Sequence, residues 1–150
     1  MTGGLLIHAT AVAIDGQAVL LRGPPGAGKS DLALRLIDGG ACLITDDQAV
    51  LHRRDAQILV RAPAAIAGLI EVRGLGILRI DPLEEAPLAV VVDLVPPAQI
   101  ERVPEPRSER ILGVAIPSIA LAPFEASAAA KLRLALRTLA APEQAAHRAW

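Results

Sequence analysis

The sequence predicts a compact α/β fold, in which a mixed sheet carries a phosphate-binding loop and has flanking helices. Three successive segments support this prediction. Residues 18–21 are apolar and indicate a buried strand, and residues 23–30 read Gly-Pro-Pro-Gly-Ala-Gly-Lys-Ser. Residues 31–37 have a helical apolar pattern, which Gly39-Gly40 ends. Strand, glycine loop and helix in this order are the arrangement of a P-loop.

The composition fits one globular domain with a sizeable core. The chain has 150 residues, of which 53% are hydrophobic, and this length is typical of a single domain. We expect a P-loop domain at residues 1–141 and a short C-terminal tail at residues 142–150. The single Cys42 excludes an internal disulfide, and its apolar neighbours predict a buried thiol.

Charge and hydropathy argue against several classes of partner. A net charge of −1 creates no global field that favours nucleic acid or an anionic membrane. One Phe, one Trp and no Tyr leave little for stacking on bases. No apolar run approaches the roughly 18 residues of a membrane-spanning helix, and residues 1–6 lack the pattern of a signal peptide. We therefore expect a cytoplasmic protein without nucleic-acid or membrane partners.

The glycine loop predicts a nucleotide triphosphate site. Its glycines let the backbone N–H groups point inward, because glycine has no Cβ that blocks positive φ angles. Lys29 would place its ammonium on the outer phosphates, and Ser30 would offer its hydroxyl to Mg²⁺. The helix that follows adds the positive end of its dipole. The predicted ATP-binding residues are Gly23, Pro24, Pro25, Gly26, Ala27, Gly28, Lys29 and Ser30.

The segment before the loop predicts a hairpin. Residues 5–14 alternate loosely and indicate a first strand, which Asp15-Gly16 would turn into the strand before the loop. His8 lies in this first strand. Its residue type and position leave its role open between a structural and a catalytic histidine.

An acidic pair follows the next predicted strand. Residues 42–45 indicate a strand, and Asp46 and Asp47 come directly after them. Carboxylates at the carboxyl end of a strand lie where α/β sheets bind ligands. One aspartate can hold a metal ion while the other accepts a proton from an attacking hydroxyl. A solvated acidic turn is the structural alternative.

A second glycine-containing stretch, residues 69–78, carries two charged residues in apolar surroundings. Glu71 fits a second metal-linked carboxylate and Arg73 fits a phosphate contact, whereas an exposed edge strand explains both charges without a function. The residues before this stretch predict two short strands over 48–61 and a helical turn over 64–69.

The second half of the chain predicts two strands and a helix. Residues 88–95 are the clearest buried strand. Residues 98–110 contain three Arg and three Glu and predict a mobile polar segment. An arginine in it either stabilises a transferring phosphoryl group or forms a surface salt bridge. Residues 111–122 predict a strand broken at Pro117, and a helix follows over 124–141.

Several of these features together resemble one family, the bacterial HPr kinase/phosphorylase. The segment Leu-Ile-Glu-Val-Arg-Gly-Leu-Gly-Ile at residues 69–77 looks like the family's own signature and is far more specific than a P-loop. His8, 15 residues before Gly23, and the Asp46-Asp47 pair accompany it. Residues 111–117 are similar to a further family segment.

The resemblance covers about residues 5–135 and implies the family's compact α/β catalytic domain. It implies a kinase that uses ATP and Mg²⁺ to phosphorylate a serine of the phosphocarrier HPr, and a homo-oligomer, usually a hexamer. Asp47 would be the base toward the HPr serine. By position, the resemblance assigns catalysis to His8, Lys29, Asp47 and Arg102, and the metal site to Ser30, Asp46 and Glu71.

Two departures from the family matter. Family members with both activities usually carry an N-terminal domain, for which we expect no room in this chain. The family also has an arginine-containing Pro/Gly loop linked to dephosphorylation, whereas residues 122–127 here contain neither arginine nor glycine. Because a phosphoserine or an attacking inorganic phosphate would lose a positive partner there, the phosphorylase activity is predicted to be weak or absent.

Two other functions stay open on the sequence. A small-molecule kinase with the same P-loop would need an acceptor pocket, and the sequence contains no second substrate motif that we can identify. A non-catalytic ATP-sensing regulatory protein would bind ATP and a partner without transferring phosphate. Retention of Lys29, Asp47 and Glu71 argues against a pure sensor, which has no need of a base.

Overall fold

The computed structural model describes residues 4–140, and the predicted tail at 142–150 lies outside them. Short strands dominate this part of the chain, with two helices and two single 3₁₀ turns at Ala64–Ile66 and Pro97–Gln99. The strands are β1 (Leu5–His8), β2 (Thr10–Ile14), β3 (Gln17–Arg22), β4 (Cys42–Thr45), β5 (Gln48–Arg54), β6 (Gln57–Arg61), β7 (Leu69–Val72), β8 (Gly76–Arg79), β9 (Glu85–Leu94), β10 (Arg107–Ile111) and β11 (Val114–Leu121). The helices are α1 (Lys29–Asp38) and α2 (Ala128–Ala140).

Within the described residues, nine strands form one mixed sheet, and β7 and β8 form a separate two-stranded ribbon. The order along the main path is β1-β5-β6-β9-β3-β2-β4, with β11 on β9 and β10 on β11. The long strand β9 links the two parts of this sheet. Its first residues, Glu85 to Pro87, pair antiparallel with β6, and its apolar remainder pairs parallel with β3 and β11.

Four strands of the main sheet end at the same edge. β3, β9 and β11 are parallel to one another, and β4 runs in the direction of β3 because β2 is antiparallel to both. Ligands bind at the carboxyl ends of strands in α/β sheets. The P-loop after β3 and the acidic pair after β4 therefore lie at one edge, with only β2 between their strands.

The core has two parts, one on each face of the sheet. Alternate residues of β3 point to opposite faces, as a strand requires. Val19 and Leu21 pack in a cluster with the helices, whereas Ala18 and Leu20 pack in a cluster with β5 and β6. The fully buried faces of the helices belong to the first cluster and include Leu32, Ala33, Leu36, Ala128 and Leu132.

The mixed α/β class, the P-loop helix and most predicted strands are confirmed. The Asp15-Gly16 turn has both residues at positive φ, 51° and 77°, and joins β2 to β3 in register. Gly39 and Gly40 end α1 as predicted, and their N–H groups donate to carbonyls of its last turn. None of the helices described between residues 4 and 140 has the length and apolar character needed to cross a bilayer.

Several predictions about local structure were wrong, and the second helix begins at Ala128 rather than at residue 124 because a turn precedes it. The first strand is two strands, because β1 pairs with β5 while β2 pairs with β3 and β4. The polar segment ends in a regular strand, β10, that pairs with β11. β11 is continuous through Pro117, which is tolerated because its pairing with β9 begins only at Ser118. Cys42 is exposed rather than buried.

Candidate active site

The P-loop has the geometry that its glycines predicted. Gly26 and Gly28 have φ angles of 82° and 103°, which lie in the left-handed region. A Cβ at Gly23 would lie 2.8 Å from the Cβ of Ala27, so only glycine allows this close approach. The Lys29 ammonium donates to the carbonyl oxygens of Gly23, at 2.6 Å, and Pro24, at 3.2 Å. Helix α1 begins at Lys29, so its N-terminus faces the loop.

Asp46 is the centre of the hydrogen-bond network beside this loop. Its Oδ1 accepts from the Ser30 hydroxyl at 2.7 Å and from the Thr10 hydroxyl at 3.0 Å. Its Oδ2 accepts from the backbone N–H of Glu71 at 3.0 Å. The side chain of Asp46 is buried, with the residue 7% exposed. Four separate segments of the chain therefore meet at one carboxylate.

The donors to Asp46 are all electrically neutral. Two are hydroxyls and one is a backbone N–H, and no Lys or Arg within residues 4–140 forms an ion pair with it. A carboxylate that is hydrogen-bonded without a cation keeps its negative charge uncompensated while it is held in place. Such a group is suited to attract a cation.

The structure brings three other predicted residues to the same place. Asp47 is exposed, has a φ of 70° and follows Asp46 directly. Glu71 is exposed because Ile70 and Val72, its neighbours on β7, point into the core. His8 ends β1, is exposed and lies opposite Gln48, the residue after Asp47.

Arg102 and Arg73 are not drawn into this network. Arg102 lies exposed between the turn at Pro97–Gln99 and β10, and it has no hydrogen bond or ion pair to another described residue. Arg73 is exposed in the turn between β7 and β8, near Gly74 with its φ of 93°. Their roles therefore stay predictions that rest on the sequence.

The donor set fits Mg²⁺ that arrives with a nucleotide. The Ser30 hydroxyl and the Asp46 carboxylate are oxygen donors in direct contact, and Mg²⁺ prefers oxygen ligands. Residues 4–140 contain no group of three His, Cys, Asp or Glu side chains arranged as a metal cage. Mg²⁺ is commonly held by one or two protein groups together with phosphate oxygens and water. The site therefore fits an ion held by one or two protein groups together with phosphate oxygens and water, and it does not fit a cage of protein ligands.

A second charged cluster at this edge escaped the sequence analysis. Arg22, the last residue of β3, donates to both oxygens of Asp93, at 2.9 and 3.2 Å, and to both oxygens of Glu109, at 2.8 and 2.7 Å. The hydrogen bonds from Arg22 lower the pKa of Glu109, and those to Glu109 raise the pKa of Arg22. Asp93 lies at the carboxyl end of an apolar run within β9, much as Asp46 comes directly after the apolar β4, so a similar signal could have found it.

Thr10 also escaped the sequence analysis. It is fully buried at the start of β2, and its hydroxyl contacts Asp46 across a separation of 36 residues. Nothing in the sequence marks it, because threonine is common in strands. Only the pairing of β2 with β4 brings it beside the acidic pair.

A family model described as HPr Serine kinase C-terminal domain matches residues 1–132. The chain belongs to this family. The matched residues include the P-loop, the acidic pair and Glu71, and the resemblance noted in the sequence is thereby confirmed.

Individual relatives agree with this assignment. The HPr kinase/phosphorylase of Clostridium beijerinckii is 40% identical over 77 residues, which are 51% of this chain and 26% of the relative. That of Lactiplantibacillus plantarum is 44% identical over 73 residues, 48% of this chain and 23% of the relative. These matches span about a quarter of the length of the relatives.

A solved structure extends the similarity to almost the whole chain. The Hpr(Ser) kinase/phosphatase from Coxiella burnetii superposes with a TM-score of 0.81 at 25% sequence identity. The match covers 95% of this chain and 97% of that one. The fold of the family therefore accounts for both parts of the sheet as well as the P-loop.

Proposed function

We propose that this chain is an ATP-dependent protein kinase that phosphorylates a serine of an HPr-type phosphocarrier protein. One observation supports this above the others. The hydrogen bond of 2.7 Å between Ser30 and Asp46 joins a phosphate cradle to an acidic turn, so that nucleotide and acid belong to one site. Membership of the HPr Serine kinase C-terminal domain family indicates the acceptor. In this proposal residues 1–141 are the catalytic domain.

ATP would bind in the loop formed by residues 23–30. The backbone N–H groups of the loop and the N-terminus of α1 offer partial positive charge to the phosphates. Lys29, whose ammonium lies beside the carbonyls of Gly23 and Pro24, would turn to the outer phosphates. Phosphoryl transfer depends mainly on positioning and charge neutralisation, which this cradle supplies.

Ser30 and Asp46 would hold Mg²⁺, with Glu71 at the side of the site. When bound, the ion neutralises charge on the triphosphate and orients its outer phosphates. The chain's own contribution is to keep Asp46 in place without a competing cation, through its three neutral donors. Glu71 is the exposed third residue of β7 and its backbone N–H is bonded to Asp46, so its carboxylate is free to face the same ion.

Asp47 is our candidate for the base that accepts the proton of the HPr serine. It is exposed, whereas Asp46 beside it is buried and hydrogen-bonded. This division suits an acid that must meet an incoming hydroxyl of another protein. We assign His8 and Arg102 supporting catalytic roles, His8 because it lies at the acidic turn and Arg102 because the family resemblance gives it that role.

We propose that the reverse phosphorylase reaction is weak or absent. Residues 122–127 form the turn before α2, and Arg35 of α1 holds this turn through the carbonyls of Pro123 and Glu125. Phe124, 70% exposed, lies against Gly28 of the P-loop, so an apolar ring occupies a place where a cation would attract phosphate.

The phosphorylase proposal is tested with phospho-HPr, Mg²⁺ and excess inorganic phosphate. We expect little release of pyrophosphate compared with the forward reaction of the same preparation. Pyrophosphate release as fast as the forward reaction would show that this turn does not limit the reverse reaction.

We further propose a hexamer, in which α2 contacts a neighbouring subunit or HPr. Leu134 on α2 is 50% exposed and provides apolar surface for such a contact. An enzyme that consumes ATP must work where ATP is present, and we propose the cytoplasm as its location. Light scattering at micromolar concentration measures the assembly, and a monomeric mass would contradict the hexamer.

The decisive experiment mixes the protein with ATP, Mg²⁺ and HPr and follows the mass of HPr. We expect one phosphoryl group on a serine. Transfer to a metabolite in a parallel panel, with HPr unmodified, would favour a small-molecule kinase. ATP binding without any transfer would favour an ATP-sensing regulatory protein. Either result would overturn the proposed kinase.

A further inference from the structure

We propose that Thr10 is a positioning residue that sets both aspartates of the acidic turn through one hydroxyl group. The inference deepens the proposed function and rests on it as far as catalysis is concerned. Among the described residues, the hydroxyl of Thr10 hydrogen-bonds to Asp46 and Asp47 and to no residue of the nucleotide loop. Its effect on catalysis would be exerted through Asp46 and Asp47.

The hydroxyl of Thr10 is used twice. It donates to Oδ1 of Asp46 at 3.0 Å and accepts from the backbone N–H of Asp47 at 3.1 Å. A hydroxyl has one donor and two acceptor sites, so both bonds form simultaneously. One atom of one side chain therefore fixes the carboxylate of the first aspartate and the backbone of the second.

The backbone of Asp47 needs such support. Its φ of 70° lies in the left-handed region, which residues other than glycine keep only where their surroundings hold them. Thr10 holds the N–H of Asp47, and the N–H of Ala9 donates to its carbonyl at 3.1 Å. Residues at the junction between β1 and β2 therefore hydrogen-bond both the backbone N–H and the carbonyl of Asp47.

The conformation has a consequence for the side chain. A residue in extended conformation after β4 would continue the strand, and its side chain would alternate between the faces of the sheet. The left-handed turn at Asp47 ends β4, and the residue is exposed while Asp46 stays buried. The hydrogen bonds to the Asp47 backbone thus favour the exposed side chain that the proposed base requires.

Packing alone does not explain a threonine at this place. Thr10 is 0% exposed in a strand whose next residues are Ala11 and Val12, both buried. Valine has nearly the same shape and would fill the space without a polar group to satisfy. The hydroxyl is favourable at this buried position only because it forms hydrogen bonds, and both of them go to the acidic pair.

The test compares Thr10→Val with Thr10→Ser, which keeps the hydroxyl. Thr45→Val is the matched control, because Thr45 is equally buried and its hydroxyl bonds the Gln48 carbonyl without touching either carboxylate. For each variant, kcat and KM for HPr phosphorylation and the affinity for ATP are measured, together with Tm. The misplacement of a catalytic group by about 1 Å costs roughly 100-fold in rate.

We expect Thr10→Val to lower kcat by about 10- to 100-fold, with ATP affinity close to that of the wild type. Thr10→Ser should restore most of kcat, and Thr45→Val should share the loss of Tm without the loss of kcat. Equal kcat values for Thr10→Val and the wild type would overturn the inference. So would equal losses in Thr10→Val and Thr45→Val, which would indicate a general effect of the turn.

A measurement on the unaltered protein keeps the inference testable if Thr10→Val does not fold. Hydrogen exchange of the Asp47 amide should be slow despite the exposure of this residue, because its N–H is bonded to Thr10. Fast exchange of this amide would overturn the positioning role. This result is independent of HPr, so failure of the kinase proposal, seen as an inactive wild type, is distinguishable from failure of the inference.

Discussion

Two clusters of acidic side chains lie at the same edge of the sheet, and they are built in opposite ways. In the Asp46 cluster, a buried carboxylate accepts from Thr10, Ser30 and the Glu71 N–H. In the Arg22 cluster, Asp93 and Glu109 share one guanidinium. No Lys or Arg among the described residues pairs with the carboxylate of the Asp46 cluster, whereas the two carboxylates of the Arg22 cluster share one positive charge.

The difference shows that position next to the P-loop does not decide which acid is available. Asp93 is the penultimate residue of β9, which pairs directly with the P-loop strand β3, whereas Asp46 follows β4, one strand further away. The planar guanidinium of Arg22 binds each carboxylate through two hydrogen bonds, a geometry that holds both acids firmly. The acid without a cationic partner among residues 4–140 is the more distant one.

The two clusters also connect different parts of the molecule. Arg22 joins β3, β9 and β10 directly below the loop, so its hydrogen bonds hold the strand ends that support the P-loop. Asp46 joins the loop's own helix to β2, β4 and β7. Substitutions in the Arg22 cluster should therefore change stability, and substitutions in the Asp46 cluster should change activity.

The largest effect is expected for Asp47→Asn. Removing a general base typically lowers the rate by about 10²–10⁴-fold, and an asparagine keeps the size and the left-handed backbone. We expect that loss in kcat for HPr phosphorylation, with ATP binding retained. Asp55→Asn is a matched control, since Asp55 is also exposed at positive φ, 55°, in the β5–β6 turn. Normal phosphorylation by Asp47→Asn would mean that another group takes the proton.

The next largest effect is expected for Asp46→Asn. Its comparison with Asp93→Asn tests whether the two clusters have different roles. An amide has one acceptor oxygen where Asp46 uses two, so Asp46→Asn leaves a donor unsatisfied and removes the negative charge. We expect activity with Mg²⁺ to fall by about 10- to 100-fold.

For Asp93→Asn we expect activity near that of the wild type and a loss of about 1 kcal/mol in the free energy of unfolding. Steady-state kinetics over a series of Mg²⁺ concentrations and denaturant unfolding measure the two quantities. If Asp93→Asn lost as much activity as Asp46→Asn, the division between the clusters would be wrong.

The smallest effect concerns acid stability and Glu109. Hydrogen bonds from Arg22 lower the pKa of Glu109 below its unfolded value, so folding holds this group deprotonated. Its contribution to stability is present above about pH 4.3 and is lost as the pH falls through the lowered pKa of the folded state. Because its side chain is 37% exposed, we expect the contribution to be below about 1 kcal/mol.

The contribution of Glu109 to stability is measured by comparing Tm of the wild type and Glu109→Gln at neutral pH and at about pH 3. The wild type should be the more stable at neutral pH, and the difference should shrink in acid. A difference that grows in acid would have the wrong sign for a lowered pKa. Glu84→Gln, at an exposed position outside both clusters, is the control.

Much of the fold was predictable because its signals are local. The P-loop needs glycines at fixed places, and the strand before it and the helix after it have clear apolar patterns. The predictions failed where pairing partners decide the structure. Residues 5–14 split into two strands because different partners take each half, and Pro117 lies inside β11 because its neighbour β9 pairs only from Ser118.

The sequence alone determined that this protein has a P-loop, an acidic pair after the following strand and a resemblance to one kinase family. These features depend on residues close together in the chain, whose backbone conformations and chemistry can be read directly. Only the tertiary structure decided which acids are paired with a cation. Arg22 meets Glu109 across 87 residues, and Thr10 meets Asp46 across 36, because strand register brings distant residues together at one edge of the sheet.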